Sequence, residues 1–379
     1  MSKRQRIAFV CYDKNFFIRH FRPVVRAATA SGFEIFAVLP SAPGEAGDLQ
    51  QDVSVIPINA RRSNNPLLHL PFDLIEMYSA LRTCEPDVVQ AFALQPSVVV
   101  TLALLFAPTI RKIYTITGLG LIDIDDRWPS RLMRSFVYRL LRVSERTSWT
   151  CFVFENSADP TRLGFRAARP KRKMFLMGAG VNEAVFTPRP LPTVPPLKLA
   201  IVSRMIWSKG VDLAVEAVSR LIHDGAPIEL DIYGNPDFEN RRYFPVEQLH
   251  EWGHRSGIRW HGFVTDVAGV WATHHAGLFP SRGGEGLPRA LLEAASCGRA
   301  GIAAEVPGCA DFIRSGLEGL LVKPNSVNEL AGAIDQLVRD PSQLVRMGNA
   351  ARQRVLDNCT EEIITSRYRQ LFTQMFQEG

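Results

Sequence analysis

The chain of 379 residues has only six cysteines, Cys11, Cys84, Cys151, Cys297, Cys309 and Cys359. No two form a C-x-x-C pair and no histidine cluster stands near them, so neither a disulfide framework nor a zinc site is suggested. A reducing compartment suits that pattern. Long apolar runs are also missing. The longest, Val98 to Ala107 in SVVVTLALLFAP, is half the roughly 20 residues a helix needs to cross a bilayer. At the amino end, MSKRQRIAFVCY has a short apolar run with no small-residue cleavage site after it, and reads as a first buried strand. There is no internal repeat and no low-complexity segment, which excludes solenoid architectures.

Negative charge is in mild deficit: 44 Lys and Arg against 38 Asp and Glu give a net charge of +6. The excess is clustered. Arg127, Arg131, Arg134, Arg139, Arg142 and Arg146 precede RAARPKRK at Arg166 to Lys173, and either nucleic acid or an anionic membrane surface would suit such a run. In RLMRSFVYRLLRVSER the sets Leu132, Phe136, Leu140 and Met133, Val137, Leu141 recur at helical spacing and are edged by arginines. Two readings stand: a core helix with a solvated basic back, or a helix lying on a membrane.

With 46% hydrophobic and 22% charged residues, the composition is that of a folded protein long enough for two domains. Short β-rich runs alternate with helical stretches. RIAFVCY, FEIFAVLP, VSVIPI, DVVQAF, KIYTIT and TCFVFEN read as strands, and so, after the proline-dense TPRPLPTVPP (Thr187 to Pro196), do LKLAIVSR, IELDIYG, IRWHGF, AGLFPS, AGIAAE and GLLV. This predicts an α/β chain of two doubly wound, Rossmann-like domains facing a central cleft, residues 1–190 and 191–360, with a last helix at 361–379 packing back on the first.

The stretch SRGGEGLPRALLEAASCG holds two carboxylates. Pro288 suits the first position of a helix, leaving Gly284 to Leu287 as the loop at its mouth, where backbone N–H groups and the helix dipole favour a phosphate. Glu285 in that loop is then better suited to sugar hydroxyls. Glu293 lies among Ala290, Leu291, Leu292, Ala294 and Ala295, where a buried carboxylate needs hydrogen bonds and a ribose diol would supply them. On one helix the pair would be about 12 Å apart, beyond the spacing of hydrolytic carboxylate pairs. Arg204 and Lys209, which follow the first strand of the second domain, are placed to neutralise a departing diphosphate.

SRMIWSKGVDLAVEA and PSRGGEGLPRALLEAASCGRAGIAAEVPGCADFIRSGLEGLLVKP together resemble the second domain of family 4 retaining glycosyltransferases of the GT-B fold, with their E-x7-E motif at Glu285 and Glu293. FFIRHFRPVVRAATASGFEI, TITGLG, FENSAD and GAGVNEAVFTP are similar to the bacterial branch that extends sugars on a lipid-diphosphate carrier. The resemblance implies a hexose or N-acetylhexosamine donated by a nucleotide sugar, a UDP-sugar by expectation, to a polyprenyl-diphosphate-linked saccharide. It implies Glu293 on the ribose, Arg204 and Lys209 on the diphosphate, and Glu285 with the Gly286 and Leu287 backbone at the donor sugar, beside Gly284 and Pro288. Retention by front-face attack then needs no cofactor and no metal. The expected partners are the nucleotide sugar, the lipid-linked acceptor and an anionic membrane surface, with no nucleic acid, at the cytoplasmic face of the cell membrane.

The acceptor side departs from the family pattern. Gln90 stands where many members have a histidine, and Asn15, Phe16 and Phe17 replace paired glycines, so these residues with Gly118 and Gly120 are expected to shape that wall. Asp123-Ile124-Asp125 has the spacing of a metal-binding D-x-D, but it follows the TGLG loop in the opposite domain from the donor. A UDP-sugar epimerase of related fold and a non-catalytic sugar-nucleotide binding protein are the alternative readings.

Overall fold

The computed structural model describes residues 4–41, 53–59, 66–105, 107, 109–120, 128–144, 149–163 and 173–377. The D-x-D at 123–125, Arg127, Arg146 and the basic residues at 166–172 lie outside the described residues, as do the side chains of Arg134 and Arg142. The chain divides into two compact units, Met1–Gly180 with Glu361–Gly379, and Val181–Thr360.

The first unit runs β1 (Arg6–Val10), α1 (Lys14–His20), α2 (Arg22–Ala30), β2 (Glu34–Pro40), β3 (Val53–Ile58), α3 (Pro66–Cys84), β4 (Val88–Phe92), α4 (Leu94–Ala103), β5 (Arg111–Ile116), α5 (Trp128–Ser144), β6 (Thr150–Phe154), α6 (Ala158–Arg162) and β7 (Lys173–Phe175). Among the described residues its strands form one parallel sheet in the order β3-β2-β1-β4-β5-β6-β7. Strand alternation sends successive side chains of β1 to opposite faces. Ile7 and Phe9 join Phe17, Phe21 and Phe33 on one side, while Ala8 and Val10 join Met77, Leu81, Val99, Val137 and Leu141 from α3, α4 and α5 on the other. Both faces are covered, as a parallel sheet requires.

The second unit runs β8 (Leu197–Val202), α7 (Val211–His223), β9 (Ile228–Tyr233), α8 (Val246–Gly253), β10 (Ile258–Gly262), α9 (Val267–Thr273), β11 (Ala276–Phe279), α10 (Arg289–Ser296), β12 (Ala300–Ala304), α11 (Pro307–Phe312), β13 (Gly319–Val322), α12 (Val327–Arg339) and α13 (Ser342–Asn358). Its sheet order is β10-β9-β8-β11-β12-β13. The chain then returns to the first unit as α14 (Glu361–Gln377), which buries Ile364, Tyr368, Phe372 and Met375 in the core beneath α2 and ties Glu361 to Arg26 at 3.0 Å. The proline-dense stretch lies within the second unit and is strapped to it: the Pro192 carbonyl accepts from His275 Nε2 at 3.0 Å, and the Pro190 carbonyl from Arg299 Nη2 at 3.3 Å.

Three expectations for the first unit change. After β1 the chain forms helix α1, capped by the Asp13 side chain on the Phe16 N–H at 2.8 Å. That turn sends Phe17 into the core, 5.5 Å from the Phe92 ring and 1% exposed, while Asn15 stays on the surface and Phe16 stacks on His20. Gln90, expected at the acceptor wall, is fully buried in the central strand β4 and donates from Nε2 to Thr115 Oγ1 at 2.8 Å, while its Oε1 has no hydrogen-bond partner. The apolar sets of α5 also separate: Val137 and Leu141 face the core, whereas Leu132 and Phe136 are more than half exposed. Replacing Phe17 with alanine is expected to cost about 3–5 kcal/mol of stability by denaturant titration, and Phe17→Leu less than about 1.5 kcal/mol. Equal small costs for both would return Phe17 to the surface.

Candidate active site

The two strands that carry Arg204, Lys209 and Glu285 are neighbours. β8 pairs with β11 at the point where the strand order reverses, so the loops leaving their carboxyl ends diverge and open a crevice. The loop after β8 tightens into a single 3-10 turn, Trp207–Lys209, and ends at Gly210, the left-handed N-cap of α7 at φ 69°. A Cβ on Gly210 would sit 2.0 Å from the Pro280 carbonyl oxygen, so only glycine lets the two loops touch here. As a result Lys209 Nζ lies 2.5 Å from Glu285 Oε1, with both side chains about one-fifth exposed. Arg204, more exposed, is held by Asp237 of the loop after β9, 2.5 Å from Nη1.

Arg282 ties this crevice together. Its guanidinium meets the Asp212 carboxylate through two hydrogen bonds of 2.8 and 2.7 Å, donates to the Trp207 carbonyl at 2.6 Å and to Asn325 at 2.9 Å, and lies 4.5 Å from the Trp207 ring centre. The Arg242 guanidinium is also stacked on that ring. The Arg282 N–H and the Ser281 hydroxyl both donate to the Ser208 carbonyl, at 2.8 and 3.1 Å. The loop bearing Lys209 is therefore fastened to the loop bearing Glu285 by side chain and backbone together.

Helix α10 begins at Arg289. Pro288 precedes it as the N-cap, with an extended ψ of 122°, one position earlier than its φ alone implies. No side chain caps the first turn of α10 or of α7, so two helix N-termini favour negative charge at this edge of the sheet. Gly284 takes a positive φ of 77°, and Gly286 and Leu287 are buried. The Gly286 carbonyl packs so closely on α11 that a Cβ on Gly308 would come within 1.5 Å of it. Glu293 is buried, but its first partner is internal: Arg289, one turn earlier, donates from Nε to Oε1 at 2.8 Å. Gly118 and Gly120 lie in the other unit, both at positive φ in the turn after β5.

Outside the crevice, Asp231 on β9 collects His274 at 2.9 Å, His261 at 2.6 Å and Arg259 at 2.8 Å. Burial alone would raise its pKa, but the hydrogen bonds from His274, Arg259 and His261 outweigh this and hold the carboxyl far below the usual range. Among the described residues no group of three or more His, Cys, Asp or Glu side chains could hold a metal ion. All six cysteines are free and buried, and burial pushes the Cys84 and Cys297 thiols up to about 11, which makes them poor nucleophiles.

Residues 196–340 match the family model described as "Glycosyl transferases group 1". The second unit holds a group 1 glycosyltransferase domain. Over 374 residues, 94% of this chain and 96% of the relative, the chain is 24% identical to the N,N'-diacetylbacillosaminyl-diphospho-undecaprenol alpha-1,3-N-acetylgalactosaminyltransferase of Campylobacter jejuni. In structure it is similar to sucrose-phosphate synthase from Thermosynechococcus elongatus, with TM-score 0.82, 18% identity, and 99% and 100% of the two chains covered. It is also similar to Anabaena HepE in complex with UDP-glucose, with TM-score 0.73, 17% identity, and 97% and 99% covered. The two Rossmann-like units are those of the GT-B fold.

Within the group 1 domain the structure adds residues that reading the sequence passed over. Arg282 stands in the glycine-rich stretch itself, and the aspartate at the second position of α7 was its visible partner; Asp237 gave no signal, because it meets Arg204 only across a loop. Arg282→Ala, which leaves Asp212 without its bidentate partner, is expected to cost about 3 kcal/mol in a denaturant titration; a cost below about 1 kcal/mol would deny Arg282 its role as a fastener. His275 gives a pH test. Its Nδ1 accepts from the Lys198 N–H at 2.9 Å while Nε2 donates to Pro192, so the ring is held neutral, and burial keeps its pKa below the ordinary 6.5. This contribution to stability is complete above pH 6.5 and is lost as the pH falls below it. The thermal midpoint is expected to drop between pH 7 and 5, and to drop less in His275→Gln.

Proposed function

We propose that this chain is a retaining, metal-independent glycosyltransferase moving a hexose or N-acetylhexosamine from a UDP-sugar to a polyprenyl-diphosphate-linked saccharide at the cytoplasmic face of the cell membrane, in the synthesis of a surface polysaccharide or related glycan. The observation that carries this reading is the pairing of Lys209 with Glu285 at 2.5 Å, where the loops of β8 and β11 diverge inside a group 1 domain. The Campylobacter relative, which matches nearly the whole chain, supports a lipid-diphosphate acceptor, and the HepE complex supports UDP.

In this reading the diphosphate enters where both cations already stand, each oriented by a carboxylate: Arg204 by Asp237 and Lys209 by Glu285. Glu293, with Arg289 beside it, receives the ribose hydroxyls, and Glu285 accepts from hydroxyls of the donor sugar. The acceptor hydroxyl attacks the anomeric carbon on the face from which the nucleotide departs. The bond from that carbon to the phosphate oxygen breaks as the bond to the acceptor oxygen forms, and the acceptor's proton passes to the departing phosphate oxygen. Arg204 and Lys209 stabilise the charge that develops there, and the positioned loops hold the reactants in line.

Arg204→Ala and Lys209→Ala are each expected to lower kcat by about 10² to 10³. Glu285→Ala is expected to abolish turnover while UDP still binds, and Glu293→Ala to weaken UDP first; the reverse order in equilibrium titration would exchange the assigned roles. Proton NMR of the product is expected to show the donor's anomeric configuration. Activity lost to EDTA and restored by manganese would contradict the metal-independent mechanism.

A further inference from the structure

Helices α3, α4 and α5 lie side by side over one face of the first unit's sheet, with α4 in the middle. Their inner residues fill the core, but their outer faces are not polar. On α3, Phe72 is 74% exposed, Ile75 71% and Tyr78 52%; on α5, Trp128 is 72% exposed, Leu132 55% and Phe136 52%. The spacing within each helix puts each set on one outward strip. Between them Val98 and Leu102 of α4 are apolar and partly exposed, Val98 also packing against the core. Scattered exposed apolar residues are ordinary, but six large apolar side chains more than half exposed on two helices that pack against the same third helix cost solubility unless something covers them.

The charges around this surface indicate the occupant. Helix α5, WPSRLMRSFVYRLLRVS, contains no acidic residue, and its Arg131 and Arg139 are exposed. On α3 the exposed Arg82 lies 5.9 Å from the Tyr78 ring centre. Of the two acids of α3, Asp73 is buried and Glu76 is partly buried and engaged, its Oε1 accepting from the backbone and side-chain N–H groups of Asn59 at 2.7 and 2.9 Å. Aliphatic and phenyl side chains, tryptophan and tyrosine with polar tips, and arginines long enough to extend to headgroups make up the composition of a bilayer interface. A second copy of the chain docked by two-fold symmetry would set the same arginines against one another.

The geometry points to an anionic lipid bilayer as the occupant, with Phe72, Ile75, Leu132 and Phe136 entering the acyl boundary and Arg82, Arg131 and Arg139 meeting phosphate headgroups. This inference deepens the reading of a membrane-linked acceptor by naming the surface on which the first unit rests, and it assigns α3 a role equal to that of the basic helix α5. Binding is then held by two contributions. The ionic one is screened by salt and the apolar one is not.

Flotation of the full chain with vesicles of phosphatidylethanolamine and phosphatidylglycerol, with phosphatidylcholine vesicles as the neutral control, tests it without donor or acceptor. Its failure therefore leaves the transferase reading standing. Phe72→Ser with Ile75→Ser, and separately Leu132→Ser with Phe136→Ser, are each expected to lower partitioning onto anionic vesicles about tenfold or more although no charge changes. Arg131→Gln with Arg139→Gln is expected to lower it at low salt and to change little at high salt, where wild type retains a fraction that the serine variants lose. Far-ultraviolet circular dichroism and thermal midpoints like those of wild type are expected, because all four apolar residues are more than half exposed. Three outcomes overturn the inference: no flotation with anionic vesicles; loss with the arginine variant alone, which would mean adsorption by charge only; or a concentration-dependent dimer, seen by sedimentation without lipid and lost in the serine variants, which would make a second copy the occupant.

Discussion

Close backbone contact between loops is the constraint on which the second unit's site depends. Lys209 and Glu285 come from different strands, and long charged side chains on separate loops do not meet reliably unless those loops are fixed. Here the fixing is done by backbone atoms. Gly210 lies against the Pro280 carbonyl, and Gly308 lies against that of Gly286, at distances where a Cβ would fall inside the partner atom. Each contact excludes every other residue type, and each adjoins a proposed donor-binding residue. Arg282 then crosses the same gap with its bidentate grip on Asp212.

Fixing the loops in this way has an electrostatic consequence. Two cations at the ends of parallel strands, beside two helix N-termini that no side chain caps, would repel one another without compensation. Asp237 and Glu285 supply it, and each fixes the direction of the cation it meets. A diphosphate arriving there exchanges one set of oxygens for another and does not have to order a disordered site, which is what makes electrostatic stabilisation effective at the moment of bond cleavage. Charge alone gives low specificity, so in the proposed reading discrimination among donors falls to the backbone around Gly286 and to Glu293 paired with Arg289.

Much of this was legible in the sequence because it rests on local pattern. The strands announced themselves as short β-branched runs, and their alternation with helices implies doubly wound parallel sheets, while the place of the reversal, between β8 and β11, comes from the structure. Lys209 and Glu285 were visible because each sits beside a glycine at the end of such a run. What was not legible depends on direction and on distance along the chain. Nothing in CYDKNFFIRH says that Asp13 will start a helix and rotate Phe17 inward. Gln90 interrupts an apolar run, where a polar side chain reads as a site residue, yet it is fully buried and gives its amide N–H to Thr115 on the neighbouring strand. Glu293 reads as needing an outside partner because Ala290, Leu291, Leu292, Ala294 and Ala295 around it are apolar, while Arg289, four positions earlier, lies on the same helical face. The α5 pattern carries two apolar sets at helical spacing, and only burial tells them apart, with Val137 and Leu141 inward and Leu132 and Phe136 outward.

The central claim is that the crevice formed after β8 and β11 is built for the diphosphate of a nucleotide sugar. Isothermal titration of the intact chain with uridine, UMP and UDP tests it most directly, because the three ligands share a base and ribose and differ only in phosphate. The account predicts that UDP binds at one site at least about tenfold more tightly than UMP, a difference of about 1.4 kcal/mol, and that this advantage disappears when Arg204 and Lys209 are both replaced by alanine. Equal affinity for UDP and UMP in the wild-type chain, or a UDP advantage that survives the double replacement, would contradict it.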